Sequence, residues 1–125
     1  MRVMVLVRAT ENSEQGLKLT LETKEMIAAM RQYNDELITV GIMEKHEDCA
    51  GLTPSSGGKR VAFDGTKRTV TDGPFAQPRE LLVGYWIWNV KDMNEAVSWV
   101  KRCPNPMLGQ SDIEIRPLSE EADFR

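Results

Sequence analysis

The side chains able to do chemistry in this chain are few and widely spaced. The one histidine, His46, sits in "EKHEDC" (44–49) beside Glu47, Asp48 and Cys49. An imidazole suits acid–base or metal work near neutral pH. A zinc site, however, needs further His or Cys ligands at suitable spacing, and adjacent strand positions point to opposite faces. A solvated loop explains the run, and no metal is expected. Cys49 and Cys103 make no CxxC and no disulfide framework, which points to free thiols in a reducing compartment. A thiol becomes nucleophilic only where a neighbour lowers its pKa. Cys103 follows Lys101 and Arg102 but closes a helix, where the dipole disfavours a thiolate; it reads as structural. "SSGGKR" (55–60) offers backbone N–H groups, Lys59 and Arg60 to an anion. It lacks P-loop spacing and precedes a hairpin rather than a helix, so it reads as a flexible loop. The remaining candidate is Asp72, in "TDGPF" (71–75). As a general base or ligand anchor it would line a pocket rim. As a turn residue it would bond backbone N–H groups two residues on, with Gly73 relieving sterics, Pro74 fixing φ and Phe75 anchoring the turn in the core. The turn accounts for more of the residues.

These groups must be carried by the elements around them. "RVMVLVR" (2–8) alternates Val3, Val5 and Val7 with Met4 and Leu6, a strand apolar on both faces. After the polar loop "ATENSEQG", a helix follows, with Met26, Ile27, Met30, Tyr33, Leu37 and Ile38 as one stripe. Arg31, Asn34 and Asp35 fall opposite, Thr23 is the candidate N-cap, and Gly41 stands at the C-terminal end. Ile42 begins what resembles a short strand. "KRVAF-DG-TKRTV" predicts a hairpin turning at Asp64-Gly65. From Leu81, one strand face carries Leu81, Val83, Tyr85 and Ile87, the other Leu82, Trp86, Trp88 and Val90, with Gly84 marking a bulge or a close backbone approach. A second helix has Asp92 as cap, Glu95 three residues on, and Met93, Ala96, Val97 and Val100 as its stripe, ending at Cys103-Pro104. "SDIEIRPL" is a last strand with Ile113 and Ile115 inward. Tyr85, Trp86, Trp88 and Trp99 read as core and interface aromatics.

The order predicts an α+β ferredoxin-like β-α-β-β-α-β sandwich with an extra β-hairpin. A chain of 125 residues with 41% hydrophobic and 28% charged composition is one globular domain, residues 1–118, with a loosely held polar tail over 119–125. A net charge of −3 and scattered basic residues give no footprint for nucleic acid. No apolar run approaches the roughly 20 residues of a membrane span, and the N-terminal run is too short for a signal peptide; a cytoplasmic location is expected. Two helices cover only one sheet face. The second apolar face on 2–8 and 81–90 therefore calls for a partner, and sheet-to-sheet packing in a homodimer is the simplest.

"TVTDGPFAQPRELLVGYWIWNV", with "EAVSWVKRCPNP", "IEIRPL", "YNDELITVGIM", "GLTPSS" and "KRVAFDG", closely resembles the DGPF-type members of the YCII-related family, over nearly the whole chain. The resemblance implies a dimeric α/β barrel of two ferredoxin-like units. Some relatives carry a His–Asp pair between sheet and first helix; the matching helix position here is Met30 or a neighbour, and the helix holds no His. Two acids common in relatives are replaced by Ala50 and Gln77. DGPF-type proteins often accompany extracytoplasmic-function sigma factors, which implies regulation.

The leading expectation is a homodimer that binds a small apolar or amphipathic molecule in the sheet–helix cleft. The candidate ligand-binding residues are Met26, Met30, Tyr33, Arg60, Phe75 and Tyr85, and no cofactor is expected. The alternatives are a cofactor-independent enzyme using Asp72, with His46, for acid–base chemistry on a small organic substrate, and a purely structural or protein-interaction module.

Overall fold

The structure is a computed structural model that describes residues 1–16 and 18–124. Its strands are β1 (Arg2–Arg8), β2 (Cys49–Gly51), β3 (Lys59–Asp64), β4 (Lys67–Asp72), β5 (Leu82–Asn89) and β6 (Ile113–Pro117). Its helices are α1 (Glu11–Glu14), α2 (Leu21–Thr39) and α3 (Met93–Lys101). β1, β2, β5 and β6 form one antiparallel sheet in the order β2-β5-β1-β6, while β3 and β4 pair only with each other. With the hairpin set aside, this is the strand order of a ferredoxin-like α+β sandwich.

Strand alternation sorts the two sheet faces. Val3, Val5 and Val7 on β1, with Trp86 and Trp88 on β5, are buried against the helices. Complete burial of Val3, Val5, Leu37 and Met43 contributes about 1.5–3 kcal/mol each. Met4, Leu6, Tyr85 and Ile87 alternate onto the other face, which no helix covers, and are only half-buried. On β6, Ile115 and Ile113 stand opposite Val5 and Val7, and Glu114 stands opposite Leu6.

The helix signals translate with small shifts. Thr20, not Thr23, is the N-cap of α2: its hydroxyl accepts from the Thr23 N–H, and the Thr20 N–H bonds back to the Thr23 hydroxyl at 2.9 Å. Gly41 takes φ +83° just past the helix, the left-handed geometry that favours glycine there. Asp92 caps α3 by accepting from the Glu95 N–H at 2.8 Å, while the Glu95 carboxylate reaches Lys91 N–H rather than closing a box. Val97 departs from the expected stripe and is exposed. The polar loop before α2 holds a turn of helix, α1, capped by Thr10. Ile42 and Met43 are buried without forming a strand, and the strand of this region is β2. In the hairpin, Asp64 pairs with Lys67, so the turn is Gly65-Thr66, and only Gly65 takes positive φ. The tail after 119 makes a short turn over Glu121–Phe124, and Glu120 pairs with Arg2 at 3.1 Å.

The two helices are tied across the core. The Tyr33 hydroxyl donates to the Trp99 carbonyl, and the Tyr33 ring meets Trp86 edge-on at 6.3 Å. Burial is the main cause that raises the Tyr33 phenol far above its ordinary value. The tyrosine is thus a neutral donor that fixes α2 against α3.

Candidate functional site

A cleft of about 270 Å³ opens between α2 and the β2 edge of the sheet. Its origin lies in backbone pairing. On the helix-facing side, each successive residue of β5 from Trp86 to Trp88 presents a bulky indole, but Gly84 presents nothing. Gly84 stands opposite Gly51 of β2 and Val7 of β1, so two facing glycines leave the floor unfilled. Gly84 combines both sequence expectations. The pairing slips between Val7 and Arg8 beside it, and a Cβ there would come within 3.1 Å of the Ala50 carbonyl oxygen. Met26, Ile27 and Met30 from α2 form the opposite wall, and Pro106 and Met107 close one end.

No Asp, Glu, Lys, Arg or His is among the lining residues. Besides Tyr85, whose side chain belongs to the opposite sheet face, four polar or weakly polar residues line it from α2, β2 and β5: Thr23, Asn34, Cys49 and Trp86. The Thr23 hydroxyl donates to the Lys18 carbonyl, and the Cys49 thiol donates to the His46 carbonyl at 3.3 Å. Trp86 Nε1 donates to Asn34 Oδ1 at 2.8 Å. Burial, and secondarily Asp48, raises the Cys49 thiol, so it stays protonated and is a poor nucleophile. The cleft can hold an apolar body and orient it by hydrogen bonds. Among the described residues that line it, none is an obvious proton-transfer group.

Three of the six candidate ligand-binding residues meet here: Met26, Met30 and Tyr85. By alternation the Tyr85 side chain belongs with Leu6 and Ala50 on the opposite sheet face. Tyr33 lies one turn deeper, in the core. Arg60 and Phe75 are elsewhere, joined to each other: the guanidinium carbon lies 3.9 Å over the ring. Phe75 is half-buried beside Gly58 and outside the main core cluster, contrary to the core anchor expected of it.

Asp72 and His46 are not brought together. Asp72 ends β4 with its side chain exposed and paired with Lys59 across the hairpin. His46 lies in an exposed turn and meets Asp35 of α2 at 3.1 Å. The motif after Asp72 has a different task. Gly73 N–H donates to the Gly58 carbonyl at 2.9 Å, and Phe75 N–H to the Ser55 hydroxyl at 3.0 Å. The Ser55 N–H and hydroxyl both donate to the Glu14 carboxylate. Through these bonds, and across a cis Gly73–Pro74 peptide, the segment docks onto the Pro54–Gly58 loop and α1. A loop with the turn Pro78–Glu80 then separates it from β5. Burial pushes the Cys103 thiol up to about 12, in keeping with a structural residue. No group of three or more His, Cys, Asp or Glu side chains among the described residues could hold a metal ion.

Asn34 is the site residue that sequence patterning put on the wrong face. Its positions relative to Ile27, Met30 and Leu37 (seven and four residues on, three before) belong to the buried stripe. That spacing was the available signal, outweighed by the polarity of the side chain.

Fold and site together define a ferredoxin-like α+β sandwich with an uncharged cleft between its long helix and one sheet edge. The chain belongs to the YCII-related family, whose domain matches residues 1–119. It is also similar to a protein of Rhizobium meliloti (strain 1021) described as "Uncharacterized protein R00369", 25% identical over 116 residues, which cover 75% of this chain and 93% of the other. No helix among the described residues is long and apolar enough to cross a membrane.

Proposed function

We propose that this YCII-related chain is a homodimeric binding protein that holds a small apolar or amphipathic molecule in the cleft between α2 and the β2 edge, in a regulatory role. The observation that carries this reading is the cleft itself: about 270 Å³, walled by Met26, Ile27, Met30 and Met107, with no charged side chain among the described residues that line it. Pockets that capture small molecules combine such apolar walls with a few directed polar groups, and methionines adapt to irregular apolar shapes. The dimer follows from the sheet face that no helix covers, where Met4, Leu6, Tyr85 and Ile87 sit together; packing two such faces makes the dimeric barrel and suits the DGPF-type resemblance. Acid–base catalysis through Asp72 with His46 draws less support, since both side chains are exposed, have separate partners and lie outside the cleft lining.

The test fills the cleft without disturbing the backbone. A Cβ at Gly51 would meet only the Val83 carbonyl oxygen, at an ordinary 3.9 Å, and Gly51 has no positive φ. Gly51→Val should therefore fold normally and project into the cleft. Wild-type protein titrated with a panel of small neutral aromatic molecules should show saturable NMR shifts at the Gly51 and Gly84 amides and the Trp86 indole N–H. The same titration of Gly51→Val should show none. Equal responses in both proteins, or none in the wild type, would rule this reading out.

A further inference from the structure

Among the described side chains that face the cleft from the helix-covered side of the sheet, which excludes that of Tyr85, the hydrogen bonds leave one donor uncommitted. The Thr23 hydroxyl is used by the carbonyls of Lys18 and Thr20, the Cys49 thiol by the His46 carbonyl, and the Trp86 indole N–H by Asn34 Oδ1. An indole N–H can only donate, so the Asn34 amide must turn its oxygen toward Trp86. That fixes Nδ2, with its two N–H groups, on the other side of the amide plane. Among the described residues no acceptor meets it, and Asn34 lines the cleft. Asn34 is half-buried, so Nδ2 is open to solvent in the cleft, and a guest that displaces solvent without offering an acceptor leaves this donor unpaired at a cost in free energy.

We infer that Asn34 is the specificity-determining residue of the cleft, and that its ligand is a neutral, largely apolar molecule presenting a carbonyl-type acceptor to Nδ2. The inference rests on the cleft-binding reading and narrows it to a chemical class. Neutrality follows from the lining, where no cation is available to compensate a buried carboxylate and no anion an ammonium. A single acceptor follows from the donor count. An apolar body follows from the methionine and isoleucine walls. Asn34 makes no covalent step; it orients the guest, and the Trp86 bond keeps the amide from flipping.

Three probes of similar shape separate the possibilities: acetophenone, ethylbenzene and benzoate. Their binding to the full-length protein at pH 8 is followed by the Trp86 indole N–H and the Gly51 and Gly84 amide signals. Acetophenone should bind about threefold to tenfold more tightly than ethylbenzene, the worth of one neutral hydrogen bond, and benzoate more weakly than either. Asn34→Asp keeps an acceptor for Trp86 and replaces the N–H donor by a second oxygen. In that variant the ketone preference should vanish while ethylbenzene still binds. Should Asn34→Asp fail to fold, Asn34→Met, which has no N–H donor and whose thioether still accepts weakly from the Trp86 N–H, serves the same comparison. Equal affinity for ketone and hydrocarbon in the wild type overturns the role of Asn34 while leaving the cleft as a binding site. A ketone preference that survives in the variants also overturns it, as does benzoate as the tightest probe. Failure of all three probes to bind removes the binding reading itself.

Discussion

A methyl group added at Gly73 would overlap the Ser55 carbonyl oxygen, whereas the neighbouring Asp72 side chain points into solvent and pairs only with Lys59. Adjacent residues of one motif thus have opposite weights. Surface ion pairs contribute little, because water screens them and two long side chains lose freedom in forming them. Asp72→Asn should change stability by less than about 1 kcal/mol and leave binding in the cleft unaltered. Gly73→Ala should destabilise by about 2 kcal/mol or more, as an overpacked contact between two backbones has no flexible side chain to yield. Urea denaturation followed by tryptophan fluorescence distinguishes the two; comparable losses in both variants would contradict the docking role assigned to Gly73. The same comparison bears on chemistry, since an acid needed for turnover could not be exchanged for its amide without loss of function.

Among the elements, β2 does the most with the fewest residues. Three residues long, it pairs Cys49 with Trp86 and Gly51 with Gly84, and so sets both the sulfur and the empty floor of the cleft. Its thiol is half-buried and raised in pKa, while that of Cys103, beyond α3, is pushed up to about 12 by burial. The thiolate attacks an aromatic disulfide reagent and expels the aromatic thiolate, so at pH 8 both cysteines should react more slowly than a free thiol, Cys103 more slowly than Cys49. Saturating acetophenone should protect Cys49 and leave Cys103 unchanged. Peptide mass analysis of the time course reads both rates, and protection of Cys103 instead would place the ligand elsewhere. The hairpin β3–β4 is an element of another kind. Val61, Phe63 and Val70 share one of its faces and are all at least half exposed, with Arg68 lying over the Phe63 ring at 4.5 Å. Two strands alone are marginal in water, and this hairpin is held at its base by the Gly73–Gly58 bond and the close docking of Gly73 on Ser55.

At the scale of the whole molecule, the sheet has one face sealed by α2 and α3 and one face left half-buried. Beside Met4 and Leu6 on that second face, Glu114 bonds Arg8 and Arg116, and these bonds hold its carboxyl below the ordinary carboxylate range. An apolar strip bordered by satisfied ion pairs is the pattern of an interface core and its polar rim. The wild-type protein should sediment at twice the 14.1 kDa chain mass at micromolar concentration. Leu6→Glu, which sets a second carboxylate next to Glu114, should sediment at the single-chain mass while keeping the near-ultraviolet signature of Trp86 and Trp88 on the sealed face. A monomeric wild type would remove the dimer from the proposal and leave the cleft reading in place.

Local patterning was sufficient for β1, α2, the hairpin, β5, α3 and β6, but not for α1 or β2. The Val3/Val5/Val7 alternation, the α2 stripe, the Asp92 cap and the glycine of the hairpin turn each occupy a few consecutive residues, and the forces that set them act over that range. The ferredoxin-like order followed from the succession of those segments, and the YCII-related family from the resemblance of motifs spread along the chain. What only the tertiary structure decided are pairings between distant segments: Trp86 with Asn34, Tyr33 with Trp99, Phe75 with Ser55, and Gly84 with Gly51. Each depends on strand register and on where a helix settles, and no spacing within one segment encodes them. That is why Asp72, the most conspicuous acid in the sequence, lies at the base of a hairpin outside the cleft lining, while Asn34, assigned by its polarity to solvent, stands in the wall of the cleft. Its half-buried place beside a donor-only indole, and not polarity alone, determines what that amide can do.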